Sequence, residues 1–281
     1  LVALGGLGVP GYLFGLIVGQ SLTLAILLVG IFKELPEGSD ESAKLLPAFR
    51  EYAPLAGAGF AFNAALWVDK LEARWSLGVE GGSMHAAAST LAWFLTIPCL
   101  AWIFVEVETA FHRRFRAFFL ALEEGASLTE LRRGVQGLVG ETGRLFRGAC
   151  GVQAGVTIFF LLAADPLIHW LNLPPSAVLP FRLLLIGAGM QALALLGLIL
   201  LYYFDLRRDA LLAASCLFAG VAVLTAVAPA LGLPPSAGTV LGCAVGGGVT
   251  WHRVTRGVNA ALQHTLLGEP FGAEHSATHE S

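Results

Sequence analysis

Charge is what this chain has least of. Only 13% of its 281 residues are Asp, Glu, Lys or Arg, against 56% hydrophobic residues, and the mean hydropathy is +0.72. An average soluble domain has roughly twice that share of charge. Cysteine is also scarce. Cys99, Cys150, Cys216 and Cys243 each stand alone inside or at the end of an apolar run, with no CxxC spacing. That excludes a zinc motif and a disulfide framework and leaves four small packing residues. No phosphate-binding loop, dinucleotide glycine signature, HExxH, GxSxG or kinase set occurs. Glu106 and Glu108 are two apart on an expected helix, so they point away from each other and make a poor acid/base pair. No basic face with interleaved aromatics offers itself to nucleic acid. The expectation is a protein that is not an enzyme, with no cofactor and no metal.

What is present is a series of long uncharged runs: Leu1–Phe32, Tyr52–Val68, Gly81–Val105, Gly148–Ala164, Leu183–Phe204 and Ala210–His252. A bilayer core takes about 20 mostly apolar residues per helix. The last run is long enough for two spans, and GLPPSA at residues 232–237 breaks it where a turn belongs. The sequence therefore predicts an all-α polytopic membrane protein with seven transmembrane helices. They are Val9–Phe32, Pro54–Trp75, Met84–Glu106, Arg147–Trp170, Phe181–Phe204, Leu211–Leu231 and Ala237–Trp251. The chain begins at Leu1, already in an apolar segment without a basic leader region, and reads as the C-terminal part of a larger protein.

Basic residues orient such a chain, because loops rich in Lys and Arg stay in the cytoplasm. Lys33, Lys44 and Arg50 lie between the first and second spans. Arg113, Arg114, Arg116, Arg132, Arg133, Arg144 and Arg147 lie between the third and fourth. Arg207 and Arg208 follow the fifth, and Arg253 and Arg256 follow the seventh. These are alternate connections. The opposite side receives only Lys70, Arg74 and Arg182. The arginine-rich connection and the C-terminus are expected to be cytoplasmic.

One apolar stretch carries its charge inside. In YAPLAGAGFAFNAALWVDKLEARW (residues 52–75), Gly59, Asn63, Trp67, Lys70 and Arg74 fall on one stripe of a helix. Two readings are open. Lys70 and Arg74 can snorkel to lipid phosphates, with Trp67 and Trp75 in the interfacial aromatic belt. Alternatively Asn63, Trp67, Asp69 and Lys70 line a polar path.

Further along, Gly11, Gly15 and Gly19 give the first span a small-residue face that another helix can approach. Phe111, Phe115, Phe118 and Leu122 continue the helical period past the third span, up to Gly125. Ser127 with Glu130 forms a capping-box pattern, which starts a new helix at Leu128. Leu131, Val135, Leu138 and Leu145 give that helix an apolar face. The result is a long helical hairpin with a charged end, either a docking surface centred on Arg113, Arg114 and Arg116 or a solvated tip. LNLPPSA at residues 171–177 recurs as LGLPPSA at 231–237, both at expected outer turns. In YYFDLRRD (residues 202–209), Asp205 with Arg208 and Arg207 with Asp209 are expected to pair locally. The region after Pro270 is polar and aperiodic and is expected to be disordered.

The order NAALWVDK (63–70), IPCLAWIFVEVETAFHRRFRAFFLAL (97–122), EGASLTELRR (124–133) and LILLYYFDLRRDALL (198–212) resembles the PelG family. These are inner-membrane transport proteins of the Pel exopolysaccharide system, and the similarity extends to Phe271. The resemblance implies a flippase-like fold of the multidrug/oligosaccharidyl-lipid/polysaccharide (MOP) superfamily, with two six-helix lobes around a cavity that opens alternately to each side. Residues 1–32 would be the last helix of the N-lobe and 33–51 a cytoplasmic linker. Residues 52–257 would be the six-helix C-lobe, with a cytoplasmic hairpin at 107–147, and 258–281 a cytoplasmic tail. The second span would line the cavity. The implied function is export of Pel exopolysaccharide, which contains amino sugars, or of its precursor across the bacterial inner membrane. The implied partners are the membrane proteins PelD and PelE and the cytosolic glycosyltransferase PelF. A non-conducting scaffold, and a lipid-linked-sugar flippase or drug exporter of the same fold, are the alternatives.

Orientation is directly testable. In a background without native cysteines, a cysteine at Ser127 is expected to react only with reagent supplied from the cytoplasm, and one at Ser176 only from outside. Labelling of position 127 from outside would reverse the topology.

Overall fold

The computed structural model describes the backbone of residues 8–34 and 45–266, and every regular element among them is a helix. The chain divides into two compact units, Leu1–Glu51 and Tyr52–Ser281. The first holds α1 (Gly8–Glu34) and the opening turns of α2 (Leu45–Phe94). Phe14, Ile17, Leu22, Ile26 and Val29 of α1 are all exposed. A helix apolar on every side is one made for lipid or for other helices. Gly15 and Gly19 have open space where a Cβ would stand.

The second unit continues α2 and adds α3 (Ile97–Glu106), a π-helical turn (Val107–Phe111), α4 (His112–Glu123), α5 (Leu128–Leu162) and α6 (Ala164–Trp170). It closes with α7 (Val178–Tyr203), α8 (Arg207–Val227) and α9 (Pro235–Leu266). Among the described residues, four helical stretches are long and apolar enough to cross a membrane: Arg50–Glu123, Leu128–Leu162, Pro175–Tyr203 and Arg207–Leu231. The first of them is not one rod. Gly78 leaves the helical region at φ 74°, ψ −168°, a conformation that residues with a Cβ avoid. Beyond it the chain turns back. A Cβ on Gly82 would stand 2.5 Å from the Arg74 Cα. Asp69 bonds to His85 and Ser89, which on a straight helix would lie about 24 and 30 Å away at 1.5 Å per residue. Residues 52–77 and 79–94 therefore run side by side, with the reversal between the second and third expected spans.

The other reversals share one device. Gly125, Asn172, Asp205 and Gly232 all have φ between 51° and 74°. In each case the next residue's N–H returns to a carbonyl five residues back: Ala126 to Ala121, Leu173 to Ile168, Leu206 to Leu201, Leu233 to Ala228, at 2.9–3.0 Å. This is the Schellman cap, which satisfies carbonyls a helix end leaves bare. The recurring LNLPPSA and LGLPPSA turns are thus built alike, with Asn172 and Gly232 in equivalent places. At the tip of the hairpin the Ser127 hydroxyl accepts from the Glu130 N–H, and Glu130 accepts from the Ser127 N–H, as the sequence predicts.

Packing in this unit depends on missing side chains. Gly238, Gly242 and Gly246 lie one turn apart on α9, and a Cβ at each would stand 2.2–2.5 Å from α8 backbone at Leu224, Val221 and Leu217. Close backbone approach of this kind replaces the hydrophobic drive that helices lack in lipid. Across the hairpin, Trp102 lies over Gly148 and Phe118 over Gly134. The four cysteines are free, and Cys99 and Cys243 are buried.

Several expectations are corrected. The connecting segment expected at 33–51 is shorter, because α2 already begins at Leu45; residues 35–44 lie outside the described ones. The third span is broken at Leu95–Thr96, just before Pro98, which lacks an N–H and crowds the carbonyl four residues back. The fourth is broken at Ala163. The helix of the seventh expected span continues past Trp251 and into the segment from 258 expected as a tail. α9 runs to Leu266, because Val254 and Val258 carry the apolar stripe onward and are buried. Where seven crossings are expected, four stretches among the described residues meet the length and hydropathy of a crossing; the glycines at 238, 242, 246, 247 and 248 leave α9 long but only weakly apolar. Arg207 pairs with Asp205 at 2.6 Å rather than with Asp209, and Asp209 pairs with Arg253 of α9 at 2.9 Å. Asp205, past the end of α7, reaches back to the first residue of α8, while Asp209 is turned toward α9. The polar segment beyond Pro270 lies outside the described residues.

The glycine seam makes a clear prediction. Gly242→Val forces a side chain into α8 backbone, and overpacking of this kind costs about 1–3 kcal/mol or more. Membrane abundance of this variant should fall sharply, while Gly248→Ala, which meets nothing within 4 Å, should keep it. Equal abundance of the two variants would remove the seam as a determinant of the fold.

Candidate functional site

The stretch singled out by its charge splits into two faces. Asp69 points inward and is buried. Its Oδ2 accepts from His85 Nε2 and from Ser89 Oγ, both at 3.2 Å, and its Oδ1 accepts from Lys70 Nζ at 3.2 Å. Lys70 also donates to the Leu66 carbonyl and lies 5.7 Å from the centre of the Trp67 ring. His85 and Ser89 are buried and sit one turn apart on residues 79–94, so one helical face aims both at one carboxylate. A carboxylate removed from water must be fully supplied with donors, and here they come from both sides of the Gly78 reversal.

The second face is open. Asn63 is exposed and turns its amide onto its own helix, to the Gly59 carbonyl at 2.8 Å. Trp67, Phe60 and Trp75 are 65%, 76% and 83% exposed. Of the four substrate-path candidates, the structure brings Asp69 and Lys70 together in the interior and leaves Asn63 and Trp67 on the surface. His85 and Ser89 were not among the expected residues. Their i, i+4 spacing was visible, but their partner lies 16 and 20 positions away, across a reversal whose register the sequence does not reveal.

The arginine-rich end of the α4–α5 hairpin holds a second cluster. Glu141 of α5 is buried. It is met by Arg114 Nε at 3.3 Å and by Arg144 Nε at 2.8 Å, and Arg144 Nη2 also reaches Glu106 of α3 at 2.6 Å. An open pocket of about 390 Å³ lies against this network, lined by Ala110, Arg113, Arg114, Ala117, Glu141 and Arg144. Of the docking candidates, Arg113 and Arg114 line the pocket. Arg116 is exposed but is not part of the lining. The π-helical turn just before α4 adds an extra residue to the helix, a feature that often marks functional sites. Just before it, Glu106 accepts from Arg144, and within it Glu108 accepts from the Tyr203 hydroxyl at 3.4 Å. Phe111, Phe115, Tyr203 and Phe204 form an aromatic cluster beside this turn, with ring centres 5.3–6.1 Å apart. At the tip, hydrogen bonds from the Ser127 hydroxyl and N–H hold the Glu130 carboxyl below its usual range. Among the described residues no group of three or more His, Cys, Asp or Glu is placed to hold a metal.

Long apolar helices, a buried ionic cluster between two of them and an arginine-rich end are those of a helical membrane protein. Residues 1–265 match the model of the PelG family, described as "Putative exopolysaccharide Exporter (EPS-E)", and the chain belongs to that family. No curated protein and no solved structure matches the chain.

Proposed function

We propose that this chain forms the C-lobe, with one preceding helix, of a two-lobed MOP-type exporter with seven crossings in this part of the protein. It passes the amino-sugar-containing Pel polysaccharide, or its precursor, from the cytoplasm across the bacterial inner membrane. The family match over residues 1–265 carries this reading. The open face of residues 52–75 supports it. Trp67 and Phe60 present aromatic rings on which sugar faces can stack, and Asn63 adds an amide beside them. Asp69 and Lys70 stand behind that face; the Asp69 oxygens are engaged by Lys70, His85 and Ser89 and are not free for the polymer. The chain acts as a transporter and carries out no bond chemistry of its own.

In this reading the arginine-rich end of the hairpin and the C-terminus are cytoplasmic, as the distribution of Lys and Arg requires. Arg113, Arg114 and Arg116 there form a basic surface for PelD, PelE and the glycosyltransferase PelF. The polymer would then pass from synthase to exporter without crossing open cytoplasm.

The test is polymer secretion measured beside membrane abundance in cells carrying the full-length protein. Losing an aromatic contact worth about 0.5–1.5 kcal/mol should lower secretion by Trp67→Ala roughly two- to tenfold at unchanged abundance. Trp75→Ala should lower it less. Charge reversal of Arg113, Arg114 and Arg116 to Glu should reduce co-purification of the partners. Normal secretion from Trp67→Ala, together with lost secretion and lost partners from the arginine variant, would replace the exporter with a scaffold.

A further inference from the structure

The ion pairs at the arginine-rich end leave charge to spare. The buried Glu141 carboxylate spends one oxygen on Arg144 and the other on Arg114. Arg114 engages only its Nε, and Arg144 engages Nε and Nη2, on Glu141 and Glu106. Arg113 forms no ion pair among the described residues; its Nε donates to the Thr109 carbonyl at 3.0 Å. Three guanidinium groups thus meet two carboxylates, and the cluster carries one positive charge. The Nη nitrogens of Arg113 and Arg114 and Nη1 of Arg144 have no bond to another described residue. All three arginines line the open pocket of about 390 Å³. A free guanidinium edge matches two oxygens of one phosphate.

The pocket lies where the apolar runs end. Phe104 and Val105 are exposed, and Glu106 follows them at the end of α3. On α5 the uncharged run begins at Gly148, one turn beyond Arg144. Arg144 bonds Glu106 at 2.6 Å, so the two boundaries stand at one level. The headgroup layer of a bilayer extends about 5–8 Å beyond each side of the hydrocarbon. Four residues of helix rise about 6 Å, which puts Arg144 in that layer. Arg113 starts further out, but its side chain folds back toward Thr109 and returns its charge toward the same depth. Val105, Thr109 and Arg113 follow one another a turn apart, linked by bonds to the Val105 and Thr109 carbonyls. This stripe leads from the pocket down onto the apolar surface.

We infer that this pocket binds the phosphate of an anionic phospholipid headgroup, held by the free edges of Arg113, Arg114 and Arg144. Basic pockets between membrane helices on the cytoplasmic side hold such headgroups. One phosphodiester, as in phosphatidylglycerol, matches the single excess charge and leaves the cluster neutral. Glu141 fixes Arg114 and Arg144 from behind, so little side-chain freedom is lost on binding. The small side chains of Ala110 and Ala117 leave the headgroup room between the arms of the hairpin, and an acyl chain descends beside Val105. A bound lipid ties the base of the hairpin to the bilayer. Arg116, outside the lining, stays for protein partners. The inference needs helices that cross a membrane and is independent of what they export.

Native mass spectrometry of the full-length protein in neutral detergent tests this, with phosphatidylglycerol and phosphatidylcholine as probes. The wild type should retain one phosphatidylglycerol at concentrations where phosphatidylcholine does not stay bound. Arg113→Gln removes a charged donor that no carboxylate uses, so the ion-pair network stays intact, and apparent affinity should fall about tenfold or more. Ala117→Leu keeps every charge but fills the pocket, and should weaken retention to a similar degree. Arg132→Gln removes an equal charge from the exposed tip and should leave retention at the wild-type level. Equal losses from Arg113→Gln and Arg132→Gln would reduce the effect to diffuse attraction by a basic surface and overturn the site. Wild-type retention in both Arg113→Gln and Ala117→Leu would overturn it too. Inorganic phosphate offers the same chemistry without an anchor in the membrane. Displacement of the lipid by an equimolar amount of phosphate would make the occupant a soluble phosphate and overturn the lipid assignment. None of these readouts needs polymer, so failure here leaves the exporter reading standing, and failure of export leaves the lipid site to be decided on its own.

Discussion

A carboxylate in an apolar lobe cannot be left without donors, and the arrangement of residues 52–94 follows from that requirement. Burying Asp69 bare would cost far more than a helix pair gains by packing. Lys70 is adjacent in sequence and supplies one donor, but one does not satisfy two oxygens. The others come from His85 and Ser89, which reach Asp69 only if the chain reverses at Gly78. The left-handed backbone at Gly78 and the absent side chain at Gly82 are therefore parts of one device. The reversal turns the polar side of the helix inward at Asp69 and leaves Asn63 and Trp67 outward. The open aromatic face and the ionic cluster behind it are two consequences of the same constraint.

The rest of the lobe keeps charge at its ends and packs its middle through small residues. In lipid, apolar side chains gain little by meeting each other, so close backbone approach and hydrogen bonds decide which helices pair. The α8–α9 seam at Gly238, Gly242 and Gly246 is the closest such approach, and the Thr225 and Thr239 hydroxyls meet beside it at 3.1 Å. At the arginine-rich end, Glu141 and Glu106 hold Arg144 and Arg114 in a network that joins α3, α4 and α5. Arg253 and Asp209 join α8 and α9 in the same manner. An arginine-rich end fixed on rigid helices suits a surface that other proteins must find in one orientation.

Much of this was legible in the residue order, for local reasons. The apolar runs marked the long helices. Ser127 with Glu130 marked the start of α5, and Gly125 the end of α4, because caps are set by residues within a turn of the boundary. What could not be read was set by contacts between distant segments. His85 and Ser89 acquire their role only through the register of the Gly78 reversal. Asp209 chooses Arg253, 44 positions on, over its neighbour Arg207. α9 extends past Trp251 because Val254 and Val258 find a place in the core, and hydropathy along the chain carries no trace of that. The glycines of α9 matter through what a Cβ would strike on α8, a contact between segments that the residue order does not reveal.

The fold-back of residues 52–77 onto 79–94 underlies both the ionic cluster and the exposed aromatic face. It is measured most directly as a distance, by electron–electron resonance between spin labels at Asn63 and Thr90, both exposed, in the full-length protein freed of native cysteines. Neighbouring helix axes lie about 8–10 Å apart, so labels on the folded-back pair should give a distance below about 25 Å. A straight helix at 1.5 Å per residue would place the two positions about 40 Å apart. A distance near that value would contradict the account at its base.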